Sequence, residues 1–234
     1  MIVQVKNARL GFHDLEKPKA VNDGDPKYSA TLICGDDTEI IVTKADGSKA
    51  KHPHTKFKNV VEAVLKGKWP AIKEGAKKKI KIWCYNQADG SYGCREEYTN
   101  DDGDYYAGFD GDTYYITAAK RGDKMPNGMT CLNQRKQPLA ASAFYSGCYV
   151  NAIVDVYAIE RKDGNTISAS LEGIQFVRNG EALGFVSVDA ASEFDEEEVD
   201  DEDVIGSDES VNDGDDGLGL DDGLGLDDGD EVPF

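Results

Sequence analysis

At 234 residues and 39% hydrophobic content, the chain is long enough for one or two domains with a real core in part of it. Its formal charge of −19, spread evenly, would exclude a polyanionic partner, but the charge is segregated. All 26 Lys and Arg precede Glu193, whereas 20 of the 45 Asp and Glu lie from Glu193 to Phe234, which leaves the body at +1 and the tail at −20.

The chain enters an alternating pattern directly at Met1-Ile2-Val3-Gln4-Val5-Lys6, without a basic and apolar leader, and no apolar run is long enough to span a bilayer. The expectation is a cytoplasmic protein with no membrane contact. Five cysteines (Cys34, Cys84, Cys94, Cys131, Cys148) are an odd number with no Cys-x-x-Cys pair and no His at ligand spacing, so they read as reduced thiols.

From Met1 to about Arg178 the dominant period is two, predicting strands at 2–10, 28–34, 78–85, 114–120, 148–159 and 166–177. Between them, Phe57, Val60, Val61, Val64 and Leu65 fall at i, i+3, i+4, i+7 and i+8, an amphipathic helix within 53–68 that Gly67 would end. Residues 90–112 are rich in Gly, Asp and Tyr and poor in aliphatics, which suits a hairpin excursion. Val150, Ala152, Val154, Val156 and Ala158 alternate with Asn151, Asp155 and Tyr157, and Lys162-Asp163-Gly164-Asn165 supplies the turn of a long β-hairpin. The predicted fold class is mainly β: an OB-fold-like barrel of five to six strands with one helix and a long hairpin excursion. The predicted domains are 1–192, which holds the barrel, and 193–234, a disordered acidic tail.

The tail is nearly all Asp, Glu, Gly, Ser and Val, too polar to offset a chain entropy of ~1–2 kcal/mol per residue. It repeats Asp-Asp-Gly-Leu-Gly-Leu at 215–220 and 221–226 and ends Asp230-Glu231-Val232-Pro233-Phe234. Phe234 joins an apolar ring to a free α-carboxylate, Pro233 stiffens the approach, and the acidic run would be drawn to a basic rim, the layout of a docking peptide. The plainer reading is a solubilising tail whose last residues are incidental.

This tip resembles that of bacterial single-stranded-DNA-binding proteins, whose OB-fold core carries an acidic tail ending in Asp residues, an aliphatic, Pro and Phe. In the body, Phe144-Tyr145-Ser146-Gly147-Cys148-Tyr149-Val150, the hairpin after it and Gly180-Glu181-Ala182-Leu183-Gly184 are similar to phage single-strand binders of the OB-fold type. The resemblance implies replication, recombination and repair as the setting. It also implies partner proteins such as a polymerase, helicase or nuclease, reached through the tail.

In the predicted strand at 77–85, Ile80, Ile82 and Cys84 point one way and Lys77, Lys79, Lys81, Trp83 and Tyr85 the other, pairing a core face with a cationic and aromatic one. Binding without sequence preference needs cations for the backbone and rings for stacking, at ~1–3 kcal/mol per base. The plain alternative is a solvated Lys face with Trp83 packed under the excursion. Weaker candidates are Tyr92, Arg95, Tyr98, Tyr105, Tyr106 and Phe109 in the excursion and Tyr115, Lys120 and Arg121 after it, of which the tyrosines are equally suited to rim packing. Trp69 reads as a barrel cap.

His52-Pro53-His54 lacks further ligands at metal spacing, and Asn100-Asp101-Asp102-Gly103-Asp104 lacks the Glu that a Ca²⁺ loop demands. No Gly-rich phosphate loop, nucleophile elbow or paired carboxylates suggest catalysis. The reading is a non-enzymatic protein without cofactors that binds single-stranded DNA, its tail competing with DNA and recruiting partners. The alternatives are an acidic adaptor or DNA mimic in which the tail is the active part, and a Ca²⁺-dependent module using the Asp-Asp-Gly units. The excursion suits a dimer contact as well as a DNA flap, so a homo-oligomer stays open.

Overall fold

A computed structural model describes residues 1–20, 24–44, 46–86, 93–94, 99–100, 102–109, 113–162 and 164–184, with backbone only at 86, 93 and 94. In chain order the strands and helices are β1 (Ile2–Lys19), β2 (Lys27–Cys34), β3 (Glu39–Thr43), β4 (Lys49–Pro53), α1 (Phe57–Lys68), α2 (Glu74–Lys77), β5 (Lys81–Ile82), β6 (Tyr85–Asn86), β7 (Gly93–Cys94), β8 (Tyr114–Arg121), β9 (Cys131–Leu132), β10 (Tyr149–Ile159) and β11 (Thr166–Arg178). The protein is mainly β, as its period-two patterning predicts.

One sheet runs in the order β6-β8-β2-β1-β10-β11-β5-β7, with β3 between β1 and β4 and with β9 on β11. β1, at 18 residues, is twice as long as its sequence pattern suggests, because its alternation is interrupted. Its ladders shift register between Val5 and Ala8 and between Leu10 and His13, and Asn7 sits at φ 54 with its N–H donating to Asn151 Oδ1 (3.0 Å). Such bulges bend a strand, and the bent β1 pairs with β10 on one edge and with β3 and then β2 on the other. The hairpin of β10 and β11 forms as the sequence predicts, from Ile159↔Thr166 to Tyr149↔Arg178. β11 then returns against β8, where Lys120 Nζ pairs with Glu172, so the sheet curls on itself.

The core fills the curl. Val3, Val5 and Leu10 of β1, Leu32 of β2, Ile116 of β8, Val154 and Val156 of β10 and Leu171 of β11 are fully buried. α1 buries Phe57, Val60, Val61 and Leu65, the predicted apolar stripe, and packs on β10 and β11. Trp69 follows α1, packs against the core and donates from Nε1 to Glu160 (2.8 Å). Gly147, at φ +113, is where the chain passes residue 181 so closely that a Cβ would lie 2.1 Å from the Glu181 carbonyl.

Two sequence expectations are corrected. The strand expected at 78–85 is broken: Glu74–Lys77 is helical, residues 78–80 turn, and only β5 and β6 are extended. The hairpin of β3 and β4, two five-residue strands around Asp46-Gly47-Ser48, is absent from the sequence-based set. Within the excursion, Thr99 and Tyr105 form an antiparallel bridge, and Asn100 Oδ1 accepts from the N–H groups of Asp102 (3.0 Å) and Asp104 (2.8 Å), which makes a polar turn.

Candidate nucleic-acid interface

Strand alternation decides what lies opposite the core. β2 turns Lys27 and Ser29 away from Ala30 and Leu32, and β8 turns Thr117, Ala119 and Arg121 away from Ile116 and Ala118. β10 presents Asp155, Tyr157 and Ile159, and β11 presents Ser168, Ser170 and Glu172. These rows line a groove of about 920 Å³ that also takes in Phe12 and Asp14 of β1, Thr31 of β2 and Trp83. Short side chains, Ser29, Thr31, Thr117, Ala119, Ser168 and Ser170, leave its middle open. Trp83 (46% exposed), Phe12 (44%) and Tyr157 (36%) put rings within reach of a ligand.

Charge follows the same geometry. The groove carries the cations Lys19, Lys27, Lys120, Arg121, Lys124 and Arg161 and the carboxylates Asp14, Asp25, Asp155 and Glu172. Each carboxylate is engaged: Glu172 by Lys120, Asp25 by Arg121 (3.2 Å), Asp14 by the Ser29 hydroxyl (2.9 Å) and Asp155 by the Met1 amine (2.6 Å). Lys19, Lys27, Lys124 and Arg161 form no ion pair among the described residues, so four cations stand ready for a polyanion. Burial alone would push the Glu172 carboxyl up, but hydrogen bonds from Lys120 and Ser170 together with the Lys120 charge hold it below its ordinary range. Hydrogen bonding to Asp123, then the charges of Asp123 and Asp25, raise the Arg121 guanidinium. Burial raises the Tyr157 phenol, so that it stays neutral. Among the described residues no group of three His, Cys, Asp or Glu side chains is placed to hold a metal ion.

A family model described as the ssDNA-binding protein of Enterobacter phage Enc34 matches residues 1–205. The chain belongs to that family. A relative, the putative protein p50 of Acyrthosiphon pisum secondary endosymbiont phage 1, is 30% identical over 200 residues, covering 84% of this chain and 94% of its own. Among solved structures, the single-stranded DNA-binding protein of bacteriophage Enc34 in complex with ssDNA is similar at 19% identity and a TM-score of 0.48, over 78% of this chain and 89% of that one. The single-stranded DNA binding protein gp2.5 of bacteriophage T7 is similar at 11% identity and a TM-score of 0.42, over 85% and 97% of the two chains.

In this member of the Enc34 family the sequence-predicted site residues separate into three groups. Trp83 and Arg121 line the groove, Lys81 places its Nζ 5.9 Å from the Trp83 ring centroid, and Lys79 is exposed. Tyr106 is also exposed, edge-on to Phe12 at 5.1 Å. Lys77 lies in α2, half-buried and paired with Glu62 (3.6 Å) and Glu74 (3.7 Å). Tyr85 is 4% exposed and packs on Phe57 at 5.1 Å, away from the face predicted for it. Phe109 and Tyr115 are buried together with Ile33, Phe109 stacking on Phe12 at 5.5 Å. Tyr92, Arg95 and the tip residues Asp230, Glu231, Val232, Pro233 and Phe234 lie outside the described residues, and the tip lies beyond the family match. Sequence reasoning missed Phe12 and Tyr157. Tyr157 was visible as an outward-facing ring in the alternation of β10; Phe12 was hidden by the register shift after Leu10.

Proposed function

We propose that the body binds single-stranded DNA without base preference, laying the strand along the groove of β2, β8, β10 and β11. The observation that carries this is an open groove with three exposed rings and four cations that form no ion pair among the described residues, the pairing that stacking and phosphate contact require. Family membership supports it. The path β8-β2-β1-β10-β11, with β11 returning to β8, supports an OB-fold-like, partly open barrel as the scaffold. Lys79, Lys81, Trp83, Tyr106 and Arg121 act as direct contacts, with Tyr92 and Arg95 as further ones. Lys77, Tyr85, Phe109 and Tyr115 serve by packing behind the site.

The tail, at −20, competes with DNA for the groove cations and, once displaced, offers Asp230 to Phe234 to replication, recombination and repair proteins such as a polymerase, helicase or nuclease. The test is fluorescence anisotropy of a labelled oligo-dT and of the matching duplex, with the full chain and with a chain ending at Ser192, over a salt series. The expected result is salt-dependent binding to the single strand that strengthens when the tail is removed. Unchanged affinity removes the competition, and no binding by either chain favours the acidic adaptor.

A further inference from the structure

We propose that Trp83 and Tyr157 form the two walls of a slot for one unpaired nucleobase, with Ser168 as its floor; this rests on the reading that the groove holds single-stranded DNA. The ladders place the three residues in a row. Tyr157 is directly opposite Ser168 in the antiparallel pair of β10 and β11. On the other side of β11, β5 runs parallel with Lys81 opposite Thr166 and Ile82 opposite Ile167, and the Trp83 N–H continues that ladder by donating to the Ile167 carbonyl (2.9 Å), which sets Trp83 abreast of Ser168. Ile82, Ile167 and Val156 turn into the core, so the next residue on each strand faces the groove, and all three line it.

Adjacent strands lie ~4.8 Å apart, which puts the two ring-bearing backbones ~9.5 Å from one another. A base between two rings needs two stacking intervals of ~3.4 Å, so the row has room for one base and no more. Serine leaves that space open, and its hydroxyl donates or accepts, which tolerates the edge of any base. Lys81 beside Trp83, and Arg161 at the same groove, supply cations for the flanking phosphates. A base already paired carries its partner on the edge that must enter, so the slot selects single strands over duplex by shape.

Titration of labelled oligo-dT with the full chain tests this. Trp83→Ala and Tyr157→Ala should each weaken binding about 5- to 150-fold, the equivalent of ~1–3 kcal/mol per stacked base. Ser168→Leu, which keeps both rings and every cation while filling the slot, should weaken it comparably, with melting curves confirming that the variants fold. In a Trp69→Phe background the remaining Trp83 emission should be quenched by oligo-dT, and Ser168→Leu should reduce that quench. With no substitution at all, an abasic strand of equal length should bind more weakly than oligo-dT. If Tyr157→Ala and Ser168→Leu bind as the parent does with the quench intact, or if the abasic strand binds equally, the slot is overturned while the groove reading survives. Failure of the parent chain to bind oligo-dT overturns the groove reading itself.

Discussion

Replacing Glu172 by Gln should make the groove bind single-stranded DNA more tightly. Glu172 pairs with Lys120 where β11 meets β8, and their side chains are 32% and 22% exposed. A phosphate that takes over Lys120 would sit ~6 Å from the Glu172 carboxylate, a repulsion of ~0.7 kcal/mol at the dielectric of water and ~2.8 kcal/mol at an effective value near 20. The partial exposure of the pair favours the lower end, an affinity gain of about three- to tenfold. The freed Lys120 becomes one more phosphate contact, so the slope of log K against log salt should steepen by up to ~0.7. Gln preserves the shape and a hydrogen-bond acceptor, and such a pair contributes only ~0.2–1 kcal/mol to stability, so melting should change little. Anisotropy with labelled oligo-dT from low to moderate salt gives both numbers. Affinity equal to or below that of the parent, in a variant with unchanged melting, refutes the idea that DNA phosphate displaces this carboxylate.

Two further outcomes follow from the packing. Gly147→Ala should cost at least ~2 kcal/mol, because a Cβ would collide with the Glu181 carbonyl in a backbone conformation that L side chains rarely adopt, and differential scanning fluorimetry should show a clear fall in Tm. Cys34, Cys84, Cys131 and Cys148 are buried, and burial pushes the Cys34 thiol up to about 12 and the Cys131 thiol up to about 11. At pH 8 the Cys34 and Cys131 thiols stay protonated, and burial shields all four side chains, so iodoacetamide followed by peptide mass mapping should leave the four unmodified in the native protein and modify them in guanidinium. Rapid native labelling of Cys34 would contradict its burial.

How much of this was legible in the sequence depends on where a strand keeps one partner. Ile80, Ile82 and Cys84 alternate inward as read, and Trp83 outward, but Tyr85 is buried although the same rule turned it to the groove. Between Ile82 and Tyr85 the chain leaves the edge of β11 and joins the edge of β8, and a strand that changes partner loses its phase. Lys77 escaped for a related reason: a single turn of helix at Glu74–Lys77 carries it to Glu62, an ion pair that no period-two pattern announces. Phe12 was lost because the register shift after Leu10 hides the continuation of β1. The helix and the long hairpin, whose apolar spacing is uninterrupted, were readable. The acidic end of the chain speaks through composition alone.

β1 has three partners, and they lie far apart along the chain. Its pairing with β3 and β2 closes within the first 42 residues, whereas its pairing with β10 joins Ile2 to Asp155 and Arg9 to Tyr149. Loop closure on that scale must be bridged before the contact rewards it, which places folding among the slower, non-local topologies, in milliseconds to seconds. During synthesis the first strand therefore waits, half paired, until the hairpin of β10 and β11 has emerged, and until then its β10-facing edge is open to any other strand.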